Sequence, residues 1–155
     1  MAVYVDGSAL SRFLLDVPQS AEWRAWALDR LPELRRSELS VTELRRATAT
    51  CELALKKIAD ALVERIREVR FSDQAIAWAT TVEGLLTPFQ ALHFGVVRAE
   101  PGVGAIATYD AALAAVCHEH GLQVVTPGRP GVWWAAVVPP RGPRPEEQAL
   151  SPVPE

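Results

Sequence analysis

The chain has no apolar run approaching the roughly 18 residues that a membrane-spanning helix needs. That excludes a helical membrane protein. The N-terminus enters VYV at once, without a basic region, an apolar core or a cleavage site, so no secretory leader is expected. Cysteine is scarce: Cys51 and Cys117 stand far apart and form no CxxC, which argues for two reduced thiols in a cytoplasmic protein. There is no overall basic excess either. Sixteen Lys and Arg against nineteen Asp and Glu leave a formal charge of −3, so the whole molecule is not a basic nucleic-acid binder. No internal repeat is present, and no Ser-His-Asp or Cys-His triad can be argued from the spacing. What remains is ample apolar material, 49% of 155 residues, enough for one compact domain with a sizeable core.

Charge is uneven along the chain. From Arg35 to Arg70 nine basic residues face six acids, a net of +9 − 6 = +3. Arg45 and Arg46 could guide a phosphate backbone. The plainer reading, solvated helix faces with acidic partners such as Glu64 and Glu68, is favoured from charge alone. Proline is uneven too, with eight of twelve from Pro127 onward. The composition therefore divides the chain into residues 1–128 as the folded domain, 129–138 as a short apolar extension (GVWWAAVV), and 139–155 as a proline-rich tail expected to be disordered.

Periodicity places the elements. Val3–Val5 reads as a strand ending at Asp6-Gly7, followed by a short helix capped by Ser8. Ser20 caps a second helix carrying Trp23 and Trp26. A strand near Leu34–Leu39 precedes a helix opened by Ser40, whose spacing to Glu43 fits a capping box. Cys51–Val69 has helical spacing throughout, and VRFS reads as a third strand. Ser72 and Thr87-Pro88 open two further helices. Ala105–Thr108 is a strand, Tyr109-Asp110 leads into a helix closed by Gly121, and LQVVTPG is the last strand. Alternating strands and helices predict an α/β fold with a mostly parallel sheet covered on both faces.

In such sheets ligands gather at the carboxyl ends of the strands. Asp6 and Asp110 both sit there. Each, taken alone, is more simply the N-cap of the helix that follows, and Glu43 has its capping-box explanation. Together they suggest something else. Acids in one site repel unless they share a cation, and clustered oxygen ligands suit Mg²⁺ or Mn²⁺. His93, three residues after Gln90 on one helix face, is read as a packed or hydrogen-bonded histidine.

Four stretches carry a family resemblance. VYVDGSAL, SELSVTELRRA, TPFQALHFGVV, and ATYDAALAAV with LQVVTPG occur in order between Val3 and Gly128. They resemble the motifs of PIN domains, specifically the VapC-like toxins of type II toxin–antitoxin modules. The resemblance implies a three-layer α/β/α sandwich and a Mg²⁺- or Mn²⁺-dependent endoribonuclease. Asp6, Glu43 and Asp110 would be its catalytic and metal-holding residues, with Ser8 near the site to orient Asp6. RNA would be the substrate, a cognate antitoxin the partner, and a homodimer the common state, with no membrane attachment. Trp23 and Trp26 would be candidates to line an antitoxin groove. One motif departs from the pattern: the third usually places an aspartate before ALH, where this chain has Gln90. A neutral amide there weakens the attraction for a cation, so the alternative is a PIN-fold binding protein with weakened or absent catalysis.

Overall fold

The computed structural model describes residues 1–139. The tail expected from 139 onward therefore lies, save for Pro139, outside the described residues.

The described residues form five strands. These are β1 (Ala2–Val5), β2 (Leu34–Arg36), β3 (Arg67–Glu68), β4 (Val103–Ala107) and β5 (Gln123–Val125). They form one sheet in the order β3-β2-β1-β4-β5, and every pairing is parallel. Apolar runs give β1, β4 and β5 their cores, while β2 (LRR) and β3 (RE) carry charged residues toward the sheet edge. Seven helices connect the strands: α1 (Gly7–Ser11), α2 (Ser20–Ala27), α3 (Glu38–Ala47), α4 (Leu53–Arg65), α5 (Asp73–Thr80), α6 (Pro88–Ala99) and α7 (Ala111–Glu119).

The period-2 alternation of a strand sorts the core into two halves. Val3, Val5, Leu34, Ala105 and Ala107 pack with residues of α1–α4 on one face. Tyr4 and Ile106 point the other way and pack with residues of α5–α7. The result is the three-layer α/β/α sandwich with a parallel sheet that the alternation of elements predicts. α5 and α6 approach closely at Gly95, where any Cβ would overlap the carbonyl oxygen of Ala75.

Several boundaries differ from the sequence reading, each for a local reason. Asp6, not Ser8, caps α1, because its carboxylate reaches the Ala9 N–H at 2.9 Å. α2 begins at Ser20 itself, behind Gln19 in the left-handed region, and the Ser20 hydroxyl serves the preceding turn at Val17 and Leu15. The capping box of α3 pairs Ser37 with Ser40, which leaves Glu43 free of it. The run from Cys51 to Val69 is not one helix. α4 stops at Arg65, and β3 forms at Arg67–Glu68, slightly before VRFS, as Val69 N–H continues to the carbonyl of Arg36. Propensity alone would extend the helix; the sheet edge next to β2 wins.

Residues 133–136 of the apolar extension form a 3₁₀ turn. Trp133 and Trp134 are buried against Ala114 and Ala115 of α7, so the apolar extension covers a helix of the domain. Trp23 is wholly enclosed in the core beside Phe13 and Trp26 and cannot line a surface groove; Trp26 is partly buried.

Candidate active site

Strand order runs outward from β1 in one direction through β2 and β3, and in the other through β4 and β5. The chain reverses its winding between β1 and β4. A crevice opens at such a switch point beyond the carboxyl ends of the two strands. Asp6 follows β1 directly, and Thr108, Tyr109 and Asp110 follow β4.

Both aspartates are indeed helix caps. Asp6 Oδ1 accepts from Ala9 N–H, and Asp110 Oδ1 accepts from Leu113 N–H at 3.0 Å. Each cap uses only one carboxylate oxygen. The Thr108 hydroxyl donates to Asp6 Oδ2 at 2.5 Å and accepts from the Asp110 N–H at 3.0 Å, which ties the two strand ends together. The Ser8 hydroxyl donates to Asp6 Oδ1 at 2.7 Å and accepts from Tyr109 N–H at 2.8 Å. Ser8 thus orients Asp6 without capping the helix.

Asp6 is only 3% exposed, and burial raises its carboxyl pKa above the usual range. The hydrogen bonds from Ser8, Thr108 and Ala9 counter that rise in part, as does the His93 ring in its protonated form. Among the described residues, neither Asp6 nor Asp110 forms an ion pair with Lys or Arg.

Glu43 reaches the same crevice from α3. Its Oε2 accepts from Gly7 N–H at 2.7 Å and lies 2.9 Å from His93 Nε2. The contact with Gly7 requires glycine, because a Cβ there would overlap the Glu43 side chain. His93, 2% exposed on α6, also lies 2.7 Å from the Tyr4 hydroxyl through Nδ1. A neutral ring with its proton on Nε2 satisfies both bonds: it donates to the carboxylate and accepts from Tyr4. The Tyr4 hydroxyl, with its pKa raised chiefly by burial, is further engaged by Ser37 and Ser40.

Gln90 lies in the crevice, but not as a carbonyl ligand. Its Oε1 accepts from Thr87 N–H at 2.9 Å, completing the capping box of α6. Its Nε2 donates to Asp110 Oδ2 at 2.7 Å. Where a fourth acid would bring charge, the amide brings a hydrogen-bond donor.

The crevice thus gathers Asp6, Glu43, Asp110, Gln90 and Ser8. Arg45 is exposed on α3, 3.8 Å from Asp60 of α4, as expected of a solvated helix face. The sequence reading did not single out Thr108, Tyr4 or Gly7. Thr108 was visible in outline, since a hydroxyl two residues before a strand-end acid falls on the same side of the chain. The Tyr4–His93–Glu43 chain joins residues 89 and 50 positions apart and has no local signature.

The fit to a divalent cation rests on the donors. Asp6 and Asp110 offer hard oxygens with no cationic side chain paired to them, which suits Mg²⁺ or Mn²⁺. Among the described residues Glu43 Oε1 accepts no hydrogen bond, while Oε2 is held by Gly7 and His93. In this arrangement no group of three His, Cys, Asp or Glu side chains among the described residues is gathered to hold one ion. The reason lies in the partners just described, as Glu43 is drawn toward His93 and Asp110 toward Gln90.

The PIN domain profile matches residues 3–129. The chain belongs to the PIN domain family. Its fold is similar to that of VapC20 from Mycobacterium tuberculosis, a sarcin-ricin loop cleaving toxin, with a TM-score of 0.62 at 16% identity. The similarity covers 74% of this chain and 95% of that one. No curated protein matches this chain. This PIN domain contains, among its described residues, no helix long and apolar enough to cross a membrane.

Proposed function

We propose that this PIN domain is a Mg²⁺- or Mn²⁺-dependent endoribonuclease acting as the toxin of a type II toxin–antitoxin module. The observation that carries the reading is the Asp6–Thr108–Asp110 unit. Two carboxylates, one of them buried, are fixed at the switch point of a parallel sheet without a cationic side chain to pair them. Asp6 and Asp110 would hold the cation, joined by Glu43 once its side chain turns away from His93. The chemistry such a cation would supply when bound is a nucleophilic water and an offset to charge on a phosphodiester. Asp6 is immobilised by Ser8, Thr108 and the first turn of α1, so its oxygens keep their direction as substrate enters. Gly7 N–H and His93 fix Glu43 from the other side. Exposed apolar side chains on both sides of the sheet, Leu28, Leu53 and Ile58 on one and Ile76, Leu85 (in the turn between α5 and α6) and Phe89 on the other, support an antitoxin partner and self-association. Cytoplasmic RNA is the substrate in this reading.

A second reading is favoured by Gln90. Its amide caps Asp110 Oδ2 with a neutral donor, which lowers the charge available to a cation and fits a PIN-fold binding protein with reduced catalysis.

The test combines RNA cleavage with metal binding. Purified protein is incubated with single-stranded RNA in Mg²⁺, Mn²⁺ or chelator, and Mn²⁺ binding is followed by calorimetry. Metal-dependent cleavage that Asp6→Asn and Asp110→Asn abolish supports the nuclease. Metal and RNA binding without cleavage supports the second reading. If both variants bind Mn²⁺ like the parent, the metal site is misassigned. Growth arrest on expression, relieved by Asp6→Asn, tests the toxin assignment.

A further inference from the structure

Beside the carboxylates stands a second fixed group that the site described above does not use. The guanidinium of Arg12, at the C-terminal end of α1, lies 3.7 Å from the centroid of the Tyr109 ring. Its Nη1 donates to the Ser8 carbonyl at 2.6 Å and its Nε to the Pro18 carbonyl at 3.0 Å. The ring beneath is equally fixed. Tyr109 donates its hydroxyl to the Pro127 carbonyl at 2.8 Å and meets Trp23 edge-on. Arg129, exposed and stacked 5.0 Å over Trp133, is close enough for its charge to repel that of Arg12.

Neither guanidinium has an acid partner: among the described residues no carboxylate lies within ion-pair distance of Arg12 or Arg129. Glu22 bears on Tyr109 and Asp6 on Arg12, both at longer range. A guanidinium has five N–H donors, and the two protein carbonyls leave several of them unused. The group is also coupled to the crevice, since Tyr109 N–H, the Ser8 hydroxyl and Asp6 Oδ1 form one hydrogen-bonded line. An anion seated on Arg12 would thus lie beside the element that orients Asp6.

We propose that Arg12 and Arg129 form a phosphate-binding subsite that holds the RNA strand one step away from the Asp6–Asp110 carboxylates. The nucleic-acid strand is favoured over an acidic protein segment because Arg12 stacks on Tyr109 and so joins the hydrogen-bonded line that runs through Ser8 to the Asp6 carboxylate of the proposed cleavage site. Arg12 is the anchor, pre-ordered by stacking and by two carbonyls, so little conformational freedom is lost when phosphate binds. Arg129 adds charge at the rim.

This inference rests on the ribonuclease reading, and the experiment separates the two. Binding of a short fluorescein-labelled oligouridylate is measured by anisotropy in chelator and in Mg²⁺, across a salt series. The proteins are the parent, Arg12→Gln, Arg12→Lys and Arg129→Gln, with cleavage followed in parallel. Each Gln variant should weaken binding roughly five- to tenfold and lower the slope of log affinity against log salt by about 0.7, the value for one phosphate contact on a single strand. Arg12→Lys should recover the charge-dependent part. Thermal melts identify a variant that fails to fold; Arg129→Gln, at an exposed position, then carries the test. If the parent binds and cleaves RNA while both Gln variants keep its affinity and salt slope, the subsite is wrong and the nuclease stands. If the parent neither binds nor cleaves, both fall. If the Gln variants lose binding to a polyglutamate peptide but not to RNA, the patch is a protein-docking surface and the proposal is overturned.

Discussion

Replacing Gln90 by glutamate changes one atom of the site from a hydrogen-bond donor to a charge. Glutamate at this helical position preserves the capping box, because one carboxylate oxygen can still accept from Thr87 N–H. Any loss of stability then reports on the crevice and not on α6. The lost partner is the 2.7 Å bond from Nε2 to Asp110 Oδ2. A hydrogen bond to a charged group contributes about 1.5–3 kcal/mol. The new carboxylate also repels Asp110. Two like charges about 4 Å apart cost roughly 4 kcal/mol at an effective dielectric of about 20, and both groups are only partly buried, so screening reduces this. Proton uptake by the pair limits it further. A net loss of about 2–4 kcal/mol in chelator follows, a fall in melting temperature on the order of 5–10 °C. A divalent ion should reverse the sign, since the added charge attracts it and mass action stabilises the bound form. Thermal melts of parent and Gln90→Glu, with Mn²⁺ and with chelator, measure both arms. The reasoning is refuted if the variant melts like the parent in chelator and shows no larger rise with metal. Gln90→Asp, shorter by one methylene, should show the same sign.

Burial raises the pKa of Asp6, so the folded state holds its proton more tightly than the unfolded chain. Stability in chelator should therefore fall as pH rises from below about 4 through the raised value. Asp6→Asn should flatten that decline in melts taken against pH, and an unchanged profile would remove Asp6 as its source. Thr108→Val leaves Asp6 Oδ2 and Asp110 N–H without their shared hydroxyl. It should cost about 1–3 kcal/mol by urea denaturation and weaken Mn²⁺ binding in calorimetry. Gly7→Ala forces Glu43 aside; metal affinity should drop while the circular dichroism spectrum stays that of the parent. Trp134→Ala uncovers part of α7 and should lower stability by about 3 kcal/mol; no loss would mean that residues 129–138 contribute nothing to the domain.

The layers were legible because β1 and β4 are short apolar runs ended by acids, and helical periods lie between them. Each acid could be placed at a strand end from the sequence, and the family motifs ordered them. Capping was harder to read. Asp6, Ser8, Ser37 and Ser40 all suit the start of a helix, and only the backbone direction at each turn decides which of them serves. Asp6 and Ser37 cap; Ser8 and Ser40 instead support their neighbours. The end of α4 was misplaced because Ile66 and Val69 continue its apolar spacing, although they are buried by the sheet edge. Gln90 was recognised as a departure from its motif, but its orientation was not. Which end of an amide faces Asp110 depends on Thr87 offering an N–H on the other side. His93 was assigned a packing role, and the Tyr4 hydroxyl and Glu43 give that packing a direction.

The double duty of Asp6 and Asp110 bears on how such domains decay. Each acid starts a helix with one oxygen and faces the crevice with the other. A lineage released from the need for chemistry still needs both helices begun, so truncation to alanine stays costly after catalysis has lost its value. Drift should pass through asparagine, serine or threonine, which retain the cap. It should reach Glu43 and Arg12 sooner, since neither of these begins a helix. Aspartates at both strand ends are thus the last marks of activity to vanish, and their presence alone dates nothing. In this chain Asp6 and Asp110 keep both duties, and Gln90 in the third motif keeps a cap of its own on α6.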